Sequence, residues 1–267
     1  MYSVNVKPVA PAAGYIGGKR NLAGRIVRIL DGVDHEAYAE PFVGMGGIFL
    51  RRRKRMRVEV INDISGDVAT FFRVLQEHYP YLIDVLRWRV SSRAEFERLM
   101  ATPPERLTDL NRAARFLYLQ RLAFGGRVKG RTFGVDFSQG ARFNVSKLEP
   151  MLAEIHERLA GVVIEQLPFA DFIKRYDRPG MMFYLDPPYW GCERDYGDGV
   201  FDRADFERLA VQLRDVRGRF VLSINDTSGV RDVFGGFMHA EVETTYTAGR
   251  GAGKAAAELL ISNFDLG

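Results

Sequence analysis

After Gly18 the apolar residues of NLAGRIVRIL recur at helical spacing, placing Leu22, Ile26, Ile29 and Leu30 on one face. EAYAEPF then reads as a strand running into a glycine-rich turn at Gly44, Gly46 and Gly47. GIFLRRRK reads as a short helix and RVEVINDI as a second strand. Strand, glycine turn, helix, strand is the grammar of a nucleotide-binding α/β sheet. Helical spacing takes over from about Gly66 to Val90, Ser92 to Met100 and Thr108 to Ala123, with no strand pattern among them, so the alternation is interrupted. The glycine-dotted stretch GGRVKGRTFGVDFSQGARFNV follows as a loop or hairpin region. Alternation then resumes. Ser146 and Glu149 have the spacing of a capping box for a helix that stops near Gly161. VVIEQL, MMFYLDPPY and RFVLSIND read as buried strands, with helices at Phe169–Arg175 and Arg203–Val216 between them. HAEVETTYT and AELLISNF, joined by AGRGAGKAA, have no helix between them and predict a hairpin antiparallel to part of the sheet. The opening MYSVNVKPVAPAAGY has no apolar signal core and reads as a loose arm.

The pattern divides the chain into an α/β domain of residues 1–72 plus 148–267 and a mainly helical insert of residues 73–147. At 267 residues, 46% hydrophobic and 27% charged, the composition is that of an ordinary globular protein that needs no covalent staples. One cysteine excludes an internal disulfide framework and a cysteine-rich zinc site, and suits a reducing cytoplasm. His35, His78, His156 and His239 stand too far apart for ligand spacing, so no metal is expected. No apolar run approaches the roughly 18 residues of a membrane helix. A monomer is the default expectation. The net charge of +4 is a weak hint of an anionic partner, but its distribution says more. Arg73 to Lys147 holds 14 basic and 7 acidic residues, so the remainder of the chain is net negative. From Leu110 to Val135 there are six basic residues (Arg112, Arg115, Arg121, Arg127, Lys129, Arg131) and no acid.

The sharpest chemical signal is Asp186-Pro187-Pro188-Tyr189 at the carboxyl end of the apolar run MMFYL, where open α/β sheets bind ligands. Two prolines fix φ and withhold two N–H donors, leaving carbonyl acceptors beside the Asp186 carboxylate. Acceptors next to an aromatic ring suit a planar group with an exocyclic NH₂: its hydrogens go to Asp186 and the Pro187 carbonyl, and its ring stacks on Tyr189. A rigid turn with a surface tyrosine is the bland alternative for DPPY alone.

In the company of its neighbours, DPPY resembles the catalytic motif of the Dam-like, D12-class DNA adenine-N6 methyltransferases. Gly14-Tyr15-Ile16-Gly17-Gly18-Lys19 resembles the family's amino-terminal cofactor motif, and Glu40-Pro41-Phe42-Val43-Gly44-Met45-Gly46-Gly47 its S-adenosylmethionine loop. Asn62-Asp63-Ile64 is similar to the acid motif after the second strand, and Phe143-Asn144-Val145 to a remnant of an FNVP element. Phe169-Ala170-Asp171 and Ser223-Ile224-Asn225-Asp226 match the motifs before and after DPPY. Cofactor motif, insert, then DPPY is the alpha-group order.

The resemblance implies a Rossmann-like class I methyltransferase sheet with a C-terminal antiparallel hairpin and an inserted target-recognition domain. It implies S-adenosylmethionine as cofactor, S-adenosylhomocysteine as product, and DNA as partner. Tyr15, Gly17, Gly18, Lys19, Glu40, Pro41, Phe42, Gly44, Gly46, Asp63, Ile64, Phe169 and Asp186 would form the cofactor site, with Asp63 on the ribose hydroxyls. Asp186, Pro187, Pro188 and Tyr189 would hold an adenine flipped from the duplex. Arg121, Phe124, Arg127, Lys129, Arg131 and Asn144 are the candidates for DNA contact, through phosphates, guanine edges or a wedged ring. Against this stands a plainer reading in which Arg112, Arg115 and Arg121 form a solvated helix face and Phe116, Leu119 and Phe124 are core.

The chain departs from relatives that read GATC. Gly14-Tyr15 stands where they carry Lys-Trp, and Lys129 falls near a guanine-reading arginine whose bidentate fork lysine cannot copy. GATC specificity is therefore not implied, and the loop resembles methylases of prophage type, with specificity relaxed or different. Cytosine N4, RNA adenine or a protein amide offers a similar NH₂ to the same chemistry. A nicotinamide enzyme lacks the GxGxxG spacing here, and a catalytically silent DNA-binding protein would not need Asp63, Asp186 and Tyr189. Arg51–Arg57 reads as a solvated helix end or a DNA patch. Gly249–Lys254 fails the phosphate-loop pattern and reads as a hairpin tip, Cys192 as incidental, and Trp190 as either pocket wall or core.

Overall fold

The computed structural model describes residues 3–135, 142–197, 199–246 and 254–266. Strand β1 (Ser3–Asn5) is followed by helix α1 (Ala23–Gly32), β2 (Ala37–Glu40), β3 (Lys54–Met56), β4 (Val58–Asn62), and helices α2 (Gly66–Glu77), α3 (Tyr79–Arg87), α4 (Arg93–Ala101), α5 (Asp109–Leu122) and α6 (Val145–Leu159). Then come β5 (Val163–Glu165), α7 (Phe169–Tyr176), β6 (Met181–Leu185), α8 (Arg203–Arg214), β7 (Arg219–Asn225), α9 (Ser228–Phe234), β8 (Met238–Tyr246) and β9 (Lys254–Ser262).

Seven strands form the central sheet in the order β5-β4-β2-β6-β7-β9-β8. The first five are parallel, while β9 runs antiparallel to both β7 and β8. Alternate residues of each strand feed opposite cores, as the period of two requires. Tyr38, Ile61, Tyr184, Val221 and Leu260 face α1, α2, α3, α5 and α6. Ala39, Val60, Phe183, Leu222 and Ile261 face α7, α8 and α9. Burial on both faces is why MMFYL reads as a continuous apolar run. This is the doubly wound sheet with a terminal hairpin that the sequence predicts.

The helices of the insert do not stand apart. α5 packs on α2, α3 and α4, and their apolar residues belong to the same hydrophobic cluster as α1 and α6. The sequence boundary at residue 72 falls inside α2. Gly66 to Val90 forms two helices, because the chain breaks at His78 and Pro80 opens the first turn of α3.

Four local expectations are corrected. The amino-terminal arm is tied down: β1 pairs with β3, the Val9 amide donates to the Leu50 carbonyl, and Val9, Ala12 and Ala13 are buried. Arg51–Arg57 is no solvated helix end, since only Phe49–Arg51 makes a 3₁₀ turn before β3 begins. Arg52 is wholly buried, its guanidinium held by Asp31 and His35. The capping box at Ser146 is not formed, because α6 starts two residues earlier, after Asn144 and without a side-chain cap. Finally, Phe124 is exposed rather than core, although Phe116 and Leu119 are buried as the plainer reading expects. Of that reading's solvated arginines, Arg115 is itself buried and Arg112 pairs with Asp67 at 2.6 Å. All but Lys254 of the Gly249–Lys254 loop lies outside the described residues.

Candidate active site

Parallel strands end at one edge, so β2, β4 and β6 deliver Glu40, Asp63 and Asp186 to the same side of the sheet. There, where the strand order reverses between β2 and β6, a cavity of about 850 Å³ opens. Tyr15, Gly18, Lys19, Glu40, Pro41, Phe42, Gly44, Asp63, Ile64, Phe169, Asp186 and Pro188 line it. Gly17, Gly46, Pro187 and Tyr189 do not.

At one end Asp63 is set by the turn after β2. The Gly44 amide donates to Oδ2 and the Ser65 amide to Oδ1, each at 2.9 Å. Gly44 has φ of 51°, and a Cβ there would lie 3.0 Å from the Tyr15 ring, so glycine is required. Each Asp63 oxygen keeps acceptor capacity beside the cavity. Burial pushes its carboxyl up to about 6, opposed by the two amides. Phe42, Phe169 and Phe201 form a wall of rings with centroids 5.7–6.0 Å apart.

Toward the other end lies DPPY. Lys19, 2% exposed, places Nζ 2.6 Å from Asp186 Oδ1 and 2.7 Å from the Tyr189 hydroxyl. The ammonium also sits 4.2 Å from the Tyr189 ring centroid. Burial pushes the Asp186 carboxyl up to about 6, with Lys19 the main opposing influence. Glu40, wholly buried, accepts from the Tyr38 hydroxyl at 2.6 Å, yet burial still carries its carboxyl to about 8. After DPPY the chain is clamped: Trp190 N–H donates to Asn225 Oδ1, and Asn225 returns a bond to the Trp190 carbonyl. Trp190, partly buried, packs on Phe206 with the Arg203 guanidinium 3.7 Å above it and does not line the cavity.

A carboxylate fixed by two backbone amides and a second one set in a proline turn thus share one cavity. A family profile described as D12 class N6 adenine-specific DNA methyltransferase matches residues 15–248. The chain belongs to this family. It is 22% identical to type II methyltransferase M.CviBI of Paramecium bursaria Chlorella virus NC1A, across 93% of this chain and 95% of that protein. It is 24% identical to type II methyltransferase M1.LlaDCHI of Lactococcus lactis subsp. cremoris, across 98% and 96%. A DNA N-6-adenine-methyltransferase of Escherichia phage P1 is 26% identical across 85% of this chain and 31% of its own length.

The insert of this adenine methyltransferase is stitched to the cofactor motif. Gln120 Nε2 donates to the carbonyls of Gly14 and Gly126, and Ile16 N–H donates to Gly126 O. Gly126 has φ of 68°, and a Cβ would come within 2.9 Å of the Gly14 backbone, so only glycine permits this approach. Arg121 donates to the carbonyls of Arg142 and Ala12, and Arg131 to Gln120 Oε1 and the Arg127 carbonyl. Both therefore have positioning work inside the methyltransferase. Phe124, Arg127, Lys129 and Asn144 are exposed on its insert side.

Sequence reasoning missed Phe201, Tyr196 and Glu258. Glu258 is wholly buried on β9, opposite Asn225 of the neighbouring strand β7, and its carboxylate accepts from the Tyr189 hydroxyl. A single acid inside AELLIS was the available signal, because an isolated charge in a buried strand needs a partner.

The raised carboxyls give opposite pH effects on stability and on acceptor function. A folded value above the unfolded one means that the folded chain holds more protons, so stability falls as pH rises through the folded value. Glu40, at about 8, dominates above pH 6.5; below that, His35, whose ring burial lowers to about 4, works in the opposite sense. The melting temperature of the ligand-free enzyme is expected to drop between pH 6.5 and 8. An acceptor role for Asp186 would work best through its anion, and methyl transfer is then expected to fall as pH drops through about 6. Scanning calorimetry and initial rates at matched pH check both, and a melting temperature that climbs from pH 6.5 to 8 contradicts the first.

Proposed function

We propose that S-adenosylmethionine occupies the cavity and that the acceptor is the N6 amino group of an adenine turned out of DNA toward Asp186. The observation that carries this is the placement of Asp63 and Asp186 on one cavity, 123 positions apart in sequence but just past the ends of β4 and β6, on either side of β2. The residues fit the cofactor: Asp63 retains lone pairs for a ribose diol, the Phe42–Phe169–Phe201 rings suit a purine, and the Gly44 turn admits close backbone approach. When bound, the cofactor would supply an electrophilic sulfonium methyl for the amino nitrogen, leaving as the neutral thioether, with the displaced amino proton passing to solvent.

The chain's own contribution is position and charge. Adenine N6 is a poor nucleophile because its lone pair is conjugated into the ring. Acceptance of its hydrogens by Asp186 and the Pro187 carbonyl favours a pyramidal nitrogen and localises that pair. Held in line with the methyl, the nitrogen attacks with little further reorganisation. Asp186 accepts most strongly, and with both oxygens, when ionised, and the Lys19 ammonium favours that form. Unstacking the base costs a few kcal/mol, offset by the pocket's contacts.

We place the DNA on the face bearing Phe124, Arg127, Lys129 and Asn144, with Arg121 and Arg131 holding that face to the cofactor motif; the work is that of a cytoplasmic enzyme acting as a monomer. Replacing Arg127 and Lys129 with alanine is expected to weaken DNA binding and to lower the slope of log affinity against log salt by about 1 for each phosphate no longer neutralised. Titration at several salt concentrations reads this, and an unchanged slope moves the DNA face elsewhere. The reaction itself is tested with labelled S-adenosylmethionine and unmethylated genomic DNA, digested to nucleosides for mass analysis. N6-methyladenine is expected. Cofactor binding without any product on DNA would redirect the acceptor to RNA or protein.

A further inference from the structure

The DPPY turn meets a buried charge cluster assembled from distant segments. Lys19, ahead of α1, gives its ammonium to Asp186 Oδ1, the Tyr189 hydroxyl and the Gly17 carbonyl. Glu258 reaches the same place from β9, because the antiparallel register sets it opposite Asn225 at the carboxyl end of β7. Its Oε1 accepts from the Tyr189 hydroxyl. Its Oε2 is buried, has no hydrogen-bond partner, and lies 3.9 Å from Lys19 Nζ.

A buried carboxylate oxygen without a donor is costly, and an ammonium just beyond hydrogen-bond reach is an unusual neighbour for one. Lys19 therefore has two carboxylates available and contacts only Asp186. That carboxylate is the acceptor that the proposed function assigns to the adenine amino group. Base and ammonium then compete for Asp186, and the unpartnered Oε2 offers the ammonium a second seat.

We infer that Glu258 is a positioning residue that receives Lys19 when the target base engages Asp186, while anchoring Tyr189 through its other oxygen. The inference rests on the reading that Asp186 binds the base. The movement needed is about an ångström, from 3.9 Å to an ordinary charge-assisted bond. It keeps the ammonium paired throughout, so no buried cation is stranded as the base enters.

The groups facing Asp186 are Lys19 from the amino-terminal motif, Tyr184 and Ser223 from β6 and β7, Glu40 from β2, Tyr189 and Tyr196 from the segment after β6, and Glu258 from β9. Lys19 favours the Asp186 anion and Glu258 opposes it. Removing the Glu258 charge thus makes Asp186 easier to ionise but leaves Lys19 with no alternative seat.

Glu258→Gln preserves shape and an acceptor oxygen for Tyr189. Its S-adenosylmethionine affinity is expected to stay within about twofold, kcat to fall at least about tenfold, and the acid limb of kcat/KM against pH to move to lower pH. Tyr189→Phe removes the hydroxyl's bonds to Lys19 and Glu258 Oε1 but keeps both charges beside Asp186, so it should lower kcat without moving that limb. The proposal is overturned if Glu258→Gln keeps full kcat, or if its limb stays put and Tyr189→Phe reproduces its loss, which would make Glu258 only an anchor for Tyr189. If Glu258→Gln does not fold, Glu258→Asp carries the test: the shortened carboxylate should lower kcat with the limb unmoved, and an unchanged kcat overturns the idea. Asp186→Asn separates the two levels, since full activity there removes the base-binding reading itself, whatever Glu258 does.

Discussion

Asp186→Ala is expected to cut methyl transfer to DNA by about a thousandfold while S-adenosylmethionine binding remains measurable. Asp186 is the acidic member of DPPY, sits at the cavity where β6 ends, and is the carboxylate paired with Lys19. In the proposed role, removing it takes away a preorganised acceptor whose contact with the amino group would strengthen as that nitrogen becomes positive. It also leaves Lys19 with Glu258, 3.9 Å away, as its nearest carboxylate. Asp186→Asn keeps the shape but presents one acceptor oxygen and an NH₂ that repels the amino donor, so it should fail almost as completely. Cofactor binding by calorimetry, set beside label incorporation into DNA, separates the two functions. Full activity in either variant removes Asp186 from the chemistry, whereas loss of cofactor binding alone would assign it to the cofactor.

The largest stability effect is expected far from the chemistry. Arg158 on α6 donates two bonds to Glu59, Nη1 to Oε2 at 2.6 Å and Nη2 to Oε1 at 2.9 Å, and its guanidinium stacks 4.1 Å over Phe49. Both side chains are almost wholly buried, and Arg52 approaches the same carboxylate at 3.7 Å. Arg158→Ala strands a buried anion with a poorly placed partner, and about 3–5 kcal/mol of stability should be lost. For a chain of this size that is a fall in melting temperature of about 10 °C. Glu59→Leu combined with Arg158→Met should recover more than half of the loss, because neither charge is then buried alone. Denaturant titration of the single and double variants reads the difference. A single variant as stable as the parent would show that Arg52 alone satisfies Glu59.

These two sites differ in how far they could be read beforehand. DPPY stood out because two prolines, an acid and an aromatic ring at the end of an apolar run are a local pattern, as are the Gly44 turn and the acid after β4. The ion network around Arg52 offered nothing comparable. RRRKRMR reads as exposed charge, because residue type alone does not reveal whether a guanidinium meets water or a buried carboxylate. The same blindness applied to the insert. Arg121 and Arg131 look like DNA ligands in sequence, yet they donate to Ala12, Arg142, Arg127 and Gln120 within the chain. The arm before Gly14 looked loose because β1 is only three residues long and its partner β3 lies some fifty positions away.

The sequence by itself determined the alternation of strand and helix, the interruption by a basic helical insert, the terminal hairpin, and the order of motifs at the strand ends. These rest on short-range periodicity and on backbone stiffness at proline and glycine, which neighbouring residues express together. Tertiary structure decided which charges meet. Lys19 and Tyr189 are 170 positions apart, Tyr189 and Glu258 are 69 apart, and Arg158 and Glu59 are 99 apart. Contact between them follows from strand order, strand register and helix packing, and burial then commits each charge to its partner.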